Sequence, residues 1–354
     1  MSTKLLATAG LTCPAPSSAP ERVQLGHGSG GKMSAALLRD RFLPHFANDV
    51  LAQLGDAAVV DIGSHAVAMS TDTFVVQPLE FPGGNIGSLA VHGTVNDLAM
   101  MGARPQWLSA GFVLEEGLPF DVLDRIVRAM ADAARAAGVL LVTGDTKVVE
   151  RGKADGVFIN TTGIGLRPAD FAPAPVRARA GDAVIVSGPL GCHGIAIMTA
   201  REGLAFEAEI TSDTAALTPL VERLRDRLGA AVHALRDPTR GGLASALNEI
   251  AAAAGIGVVL DETALPIPDP VAAACEMLGF DPLYVANEGV LVAFVPEARA
   301  EDAVEALHGH PLGHSAARIG RAVAAHPGMV ILETAIGGTR VVDMLPGDQL
   351  PRIC

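Results

Sequence analysis

The chain has 354 residues, of which 49% are hydrophobic but only 4% aromatic, enough Ala, Val, Leu and Ile for two cores of ordinary domain size. A formal net charge of -13, with no basic run longer than a few residues, excludes a polyanionic partner such as DNA or RNA. The cysteines Cys13, Cys192, Cys275 and Cys354 form no C-x-x-C pair, which speaks against a zinc ribbon or a disulfide framework and for a reducing cytoplasm. No apolar segment approaches the roughly 20 residues needed to cross a bilayer.

Residues 1–22 (MSTKLLATAGLTCPAPSSAPER) read as a disordered extension, because their apolar patch is too short for a cleaved export signal. Residues 26–32 (GHGSGGK) match G-x-G-x-x-G and approach the P-loop pattern. Both motifs need a buried strand just before them, and the lead-in here, PERVQL, is partly charged. The P-loop also needs a hydroxyl after Lys32, where this chain has Met33. Two readings stay open: a flexible turn before a helix, or a glycine flap whose backbone amides, at Gly28 and Gly30, close over phosphates.

Strands are expected over 57–62, 66–75 and 107–114, where apolar residues alternate. Ile86, Leu89, Ala90, Val91, Val95 and Leu98 space a helix over 86–101. A second stripe, Leu123, Ile126, Val127 and Met130, starts after Pro119 and Asp121 and stops at Gly138. Strands follow at 139–143 and 157–164, closing a first domain over 23–166. Residues 167–180 (RPADFAPAPVRARA) lack apolar periodicity and read as a linker. The second domain, 181–336, is expected to hold a strand at 183–187, helices near 194–202, 215–228 and 241–254, and strands at 256–260, 290–295 and 329–333. From 337 the sequence GGTRVVDMLPGDQLPRIC shows no core stripe, so 337–354 reads as a mobile tail ending in cysteine.

The residues that carry chemistry are aspartates beside turn residues or at element ends: Asp56, Asp72, Asp97, Asp145 and Asp237. Magnesium takes hard oxygen ligands from a few carboxylates together with substrate phosphates, and strand-to-loop junctions present carboxylates well for that task. Asp97 stands apart, since a carboxylate between Asn96 and Leu98 in an apolar helix is costly without a partner. Any one of these aspartates could equally be a turn or cap residue.

Ten segments in order, GHGSGGK, STDT, FPGGNIG, VNDLAM, GFVLEEGLP, VTGDTKVVERG, INTTGIG, ALRDPTRGG, ANEG and LPRIC, resemble the HypE family of hydrogenase maturation factors, within the AIR-synthase-related (PurM-like) superfamily. The resemblance runs from about Gln24 to Cys354. It implies an α/β fold of two domains, each a mixed sheet flanked by helices, with the N-terminal sheets pairing in a cytoplasmic homodimer and ATP bound in shared clefts. It further implies Asp56, Asp97 and Asp237 as metal-site residues, Asp72, Asn96, Asp145 and Thr146 as nucleotide-site positions, and Lys147 and Glu288 as polar groups near the thiol of Cys354. Superfamily relatives often carry two acids in the first motif, whereas here Asp56 is followed by Ala57.

In that family a carbamoyltransferase, HypF, loads a carbamoyl group on the terminal cysteine. ATP with Mg2+ then drives loss of water to give S–C≡N, and a HypC–HypD complex accepts the cyanide. Amide oxygen is a poor leaving group, so phosphoryl activation is needed, and phosphoryl transfer is mostly positioning and charge neutralisation. Lys147 is then the expected cation and Glu288 the expected base, best served by a pKa raised through burial. Without the resemblance, Lys147 would read as a surface lysine and Glu288 as a loop acid. The alternatives are a PurM-like synthetase or kinase acting on a free small molecule, whose chemistry does not need LPRIC, and a non-enzymatic interaction protein.

Overall fold

The computed structural model describes residues 22–28, 30–46, 48–203, 210–345, 347, 350 and 352–354. The extension expected over 1–22, with Cys13, lies outside them except for Arg22. Two helical segments, α1 (Gly31–Leu37) and α2 (Leu43–Phe46), joined by a π-helical turn over Leu38–Phe42, precede β1 (Ala58–Ile62) and β2 (His65–Phe74). A short ladder of β3 (Glu80–Phe81) with β4 (Gly84–Asn85) leads into α3 (Ile86–Met100), β5 (Arg104–Glu115), α4 (Phe120–Ala136), β6 (Leu140–Val149) and β7 (Val157–Arg167).

The five long strands form one sheet in the order β1–β2–β7–β5–β6. Asn85 starts α3 with a capping box: its side chain accepts from the backbone N–H groups of Gly87 and Ser88, and Ser88 Oγ accepts from the Asn85 N–H. Apolar on nearly every side, α3 is buried nearly all round, as such a helix must be. With α4, whose stripe buries Ile126 and Met130, it covers one face of the sheet over Phe74, Leu108 and Ile159. Among the described residues, no helix packs on the opposite face. Register aligns Met69 with Ile164, Ile164 with Trp107 and Trp107 with Leu140, an apolar row across four strands.

The second half contains β8 (Asp182–Val186), α5 (Cys192–Glu202), α6 (Thr218–Leu228), β9 (Ala234–Arg236), α7 (Gly242–Ala254), β10 (Gly257–Asp261), α8 (Asp269–Leu278), β11 (Val292–Pro296), α9 (Ala300–His308), β12 (Ala317–Val323), β13 (Val330–Glu333) and β14 (Thr339–Val341). Its sheet runs β14–β13–β10–β12–β8–β11–β9, with α6 and α9 packed on one face and α7 on the other. Sequence periodicity did not point to β9, β12 or α9. The strand β12 (ARIGRAV) interrupts its apolar side with Gly320, and β9 is only three residues long.

The tail, expected to be mobile, makes specific contacts at its described residues. Its strand β14 pairs with β13, the Val342 N–H donates to the Val330 carbonyl at 2.8 Å, and Asn248 Nδ2 donates to the Val342 carbonyl at 2.8 Å. Leu350 and Ile353 join the core that α3, α4, α5 and α8 share. Val342, Leu350 and Ile353 enter singly, at unequal spacing, so they leave no periodic signal. The last residues lie along 75–77: Val75 N–H donates to a main-chain oxygen of Cys354 at 3.1 Å and Gln77 N–H to the Arg352 carbonyl at 3.2 Å.

Phe74, at the end of β2 and 1% exposed, is the largest kind of side chain in this shared core. Phe74→Ala should lower unfolding free energy by about 3–5 kcal/mol in urea titration, the cost of an aromatic-sized cavity.

Candidate active site

The tail closes a cavity of about 170 Å³ whose walls include Gly28, Gly30, Thr73, Arg240, Ala286 and Cys354. The glycine loop, a 3-10 turn over Leu25–Gly28 followed by α1, forms its roof. Gly30 and Gly31 have φ of +77° and +78°, a region that side chains rarely adopt. A Cβ on Gly31 would stand 2.6 Å from the Leu345 carbonyl oxygen, and one on Gly30 2.8 Å from that of Arg240. The loop therefore lies directly on the tail and on the 237–241 turn. Lys32 N–H donates to the Leu345 carbonyl at 2.9 Å and its ammonium pairs with Asp343, so this lysine is engaged by the tail, unlike a P-loop lysine.

Beside the cavity three carboxylates converge. Asp97 projects from α3, Asp56 precedes β1 and Asp237 follows β9, and each offers an oxygen within 4.8 Å of the other two. Ser70 Oγ donates to Asp97 at 2.6 Å, and Arg236 meets Asp56 at 2.8 Å. Among the described residues, Asp56 Oδ2 and Asp237 Oδ2 are buried without any hydrogen-bond partner. Burial pushes Asp56 up to about 7 against the pull of Arg236, and Asp237 up to about 6. Burial, then the charges of Asp237, Asp72 and Asp56, hold Asp97 well above the usual carboxylate range. Buried, unpaired carboxylate oxygens aimed at one point are what a hard divalent cation binds.

Glu288 is 2% exposed and sits on a loop held from two sides. Asp213 accepts the N–H groups of Glu288 and Gly289 at 3.1 and 3.3 Å, and Asn96 Nδ2 donates to the carbonyls of Ala215 and Glu288 at 3.0 and 3.3 Å. Asn96 Oδ1 in turn accepts the Leu217 N–H at 2.8 Å. Expected at the nucleotide, Asn96 instead spends its whole amide on protein and positions the Glu288 loop. Burial first, then the charges of Asp237 and Asp72, keeps the Glu288 carboxyl well above its ordinary range, with Arg240 opposing.

Arg240 is the cation that sequence reasoning missed. Its guanidinium stands 3.7 Å from Asp72, it lines the cavity, and Cys354 is the largest of the negative influences that hold its proton. The only signal was its place inside ALRDPTRGG. Asp213, pushed up to about 6 by burial, gave no signal beyond an ordinary turn sequence. Within one chain Lys147 is not the cation at the cysteine. It lies with Asp145 and Thr146 on the exposed strand β6, its ammonium pairs with Asp145, and none of the three lines the cavity. Cys192 and Cys275 are poor nucleophiles here, since burial pushes their thiols up to about 12 and about 11. Cys354 is half-buried at the cavity wall.

Residues 54–167 match the AIR synthase related protein N-terminal domain and residues 179–332 the corresponding C-terminal domain. The carbamoyl dehydratase HypE of Cupriavidus necator is 54% identical over 334 residues, which cover 94% of this chain and 95% of that one. A crystal structure of a HypE–HypF complex is 44% identical, with a TM-score of 0.83, covering 88% of this chain and 100% of the other. A crystal structure of HypE in complex with ATP is 53% identical, with a TM-score of 0.79 and coverages of 93% and 98%.

The three aspartates set a pH dependence. Their folded pKa values are raised, so the stability they contribute as protonated groups is complete near pH 4 and falls as pH rises through about 6 to 7. In EDTA the melting temperature should drop across that window. Added Mg2+ should restore it most at pH 8, and the Asp97→Asn, Asp237→Asn double variant should lose the Mg2+ response.

Proposed function

This chain belongs to the HypE family of carbamoyl dehydratases, and from that membership we propose that its tail-lined cavity dehydrates a carbamoyl group carried on Cys354. The S–CO–NH2 group loses its oxygen to the γ-phosphorus of ATP, its nitrogen loses two protons, and phosphate departs to leave S–C≡N and ADP. This thiocyanate supplies the cyanide ligand for the iron of a [NiFe]-hydrogenase. The single observation that supports the reading is that Cys354 lines the same cavity as Arg240, whose guanidinium also feels Asp72, Glu288 and Asp97.

Glu288 is the proton acceptor for the amide nitrogen. Burial has already made its carboxylate basic, and neutralising the nearby aspartates would bring it toward neutrality, where a general base works best. Arg240 supports negative charge beside the cysteine, a task that a guanidinium performs without losing its proton. Asp56, Asp97 and Asp237 are the residues that would hold Mg2+, which when bound neutralises phosphate charge. Gly28 and Gly30, which line the cavity, and Asp72 are the residues that would border the nucleotide.

Asp145, Thr146 and Lys147 enter the reaction only through a second copy. The bare row of Met69, Ile164, Trp107 and Leu140 and the open edge of β6 are the surfaces that a homodimer would cover, bringing those three residues to a shared cleft. HypF is the partner that loads Cys354, as the HypE–HypF complex suggests, and a HypC–HypD complex is the acceptor. With these partners the reaction would run in the cytoplasm; no helix among the described residues is long and apolar enough to cross a membrane. A free-substrate synthetase is disfavoured because the chain's own tail lines the cavity.

Mass spectrometry of the C-terminal peptide decides the matter. After HypF-type loading the peptide should gain one carbamoyl group, and with ATP and Mg2+ it should then lose one water. Product on Cys192, or normal product from Cys354→Ala, would overturn the self-carrier reading. Glu288→Ala should load normally and stop before dehydration, with thiocyanate formation lowered at least about a hundredfold. Light scattering at micromolar concentration should give a dimer mass, and Trp107→Glu should shift it toward monomer.

A further inference from the structure

The tail's docking raises a question that its sequence does not answer: what holds a segment with few large side chains in a closed cleft. Arg352 lies in the left-handed region, with φ of +57°, unfavourable for a residue with a Cβ. Ile353 alone of the last three residues is buried. The Arg352 guanidinium pairs with Asp155, and its Nε donates to the Val75 carbonyl at 3.2 Å. Further contacts are made to the tail's own backbone. Arg201, near the end of α5, donates to the Gln77 carbonyl from Nε at 2.9 Å and from Nη2 at 2.7 Å, and Nη2 also reaches the Arg352 carbonyl at 2.8 Å. It thereby ties together the two chain segments that run antiparallel through the Val75–Cys354 and Gln77–Arg352 hydrogen bonds.

His193, in the first turn of the same helix, reaches the other accessible carbonyl. Its Nε2 lies 3.0 Å from the Ile353 oxygen and its Nδ1 2.7 Å from Ser212 Oγ. The carbonyl can only accept, so Nε2 carries the hydrogen and Nδ1 accepts from the serine hydroxyl. Ser212 Oγ in turn accepts the Thr214 N–H at 3.1 Å, which fixes the direction of the whole relay. Phe81 meets the imidazole edge-on at 5.6 Å. Fully buried, the ring is held neutral, its pKa pushed down to about 4, as this single-donor arrangement requires.

The geometry points to His193 and Arg201 as positioning residues for the dehydration, holding Cys354 in the cavity by the backbone carbonyls of Ile353 and Arg352. This rests on the dehydratase reading for its chemical consequence but not for the docking itself. Main-chain recognition of this kind takes the tail regardless of what the cysteine carries, as strand addition to a sheet edge does. It leaves the thiol substituent free to change from carbamoyl to cyano without loss of a docking contact. Neither residue touches the reacting atoms, so both should act on how long the tail stays docked and not on nucleotide binding.

The test reads the tail directly, in the full chain without nucleotide or partner. The rate of Cys354 alkylation by N-ethylmaleimide is followed by mass spectrometry, with buried Cys275 as the internal gauge of global opening. His193→Leu and Arg201→Gln should each raise the Cys354 rate about tenfold, the scale of one lost buried or charge-assisted hydrogen bond, with Cys275 unchanged. His193→Gln, which can still place a donor near Nε2, should stay within about twofold of the wild type. In single-turnover dehydration of carbamoylated protein, the two deleterious variants should slow by a similar factor with unchanged ATP affinity.

Wild-type alkylation rates in both variants would overturn the proposal, as would His193→Gln behaving like His193→Leu, which would assign the residue to packing alone. If His193→Leu exposes Cys275 as well, the Arg201→Gln rate decides by itself: a rise confined to Cys354 sustains the docking role, and an unchanged rate removes it. The expected alkylation pattern in a protein that forms no thiocyanate would sink the dehydratase reading and leave the docking assignment standing.

Discussion

Three carboxylates, Asp56, Asp97 and Asp237, are forced together where the two halves of the molecule meet, with Arg236 touching only the first of them. That crowding is unfavourable in the protein alone. Two of the oxygens have no hydrogen-bond partner among the described residues, and all three groups hold their protons far more tightly than an ordinary aspartate. A fold does not retain such a cluster for stability, because burying an uncompensated charge costs more than most single contacts contribute. It makes sense as a seat for positive charge that arrives with a substrate, and the surrounding architecture can be read from that need.

The elements around the cluster are rigid for the same reason. Asp97 sits on a helix buried nearly all round, and the capping box at Asn85 sets where that helix begins. Asp237 follows a three-stranded corner of the second sheet in which β9 pairs with β11 and β11 with β8. The loop bearing Glu288 has little regular structure of its own, so it is held by Asn96 from α3 and by Asp213 through its own backbone. One residue next to Asp97 therefore fixes the candidate base, and a substitution at Asn96 would disturb both functions at once.

The tail solves a different physical problem. A reactive group that must visit partners and then be shut away from water needs a carrier that docks reversibly, and a chain segment of 18 residues docks weakly unless its backbone is bound. Here the contacts are distributed: β14 anchors the base, Lys32 and Tyr284 hold Asp343, and hydrogen bonds from Val75, Gln77, His193 and Arg201 meet the last three residues. No single contact dominates, which suits a segment that has to leave as well as arrive.

Much of this was legible in the sequence. The amphipathic stripe of α4, the buried run of α3 and most of the long strands follow from spacing alone, because each obeys a helical or alternating period over several consecutive positions. The aspartates stood out because they sit beside turn residues, and the ordered set of short motifs ending in LPRIC pointed to the family. Short or irregular pieces left no such trace: β9 is three residues long, and Val342, Leu350 and Ile353 reach the core one at a time. What only the tertiary structure decided is which charges meet. Arg240 and Lys147 are indistinguishable as isolated cations in sequence, yet one faces the terminal cysteine and the other points to solvent from an open sheet edge. Likewise Asn96 and Asp97 are neighbours, but one helical step turns the first toward backbone and the second toward the carboxylates. Electrostatic roles depend on distance and burial in three dimensions, and local sequence spacing carries neither.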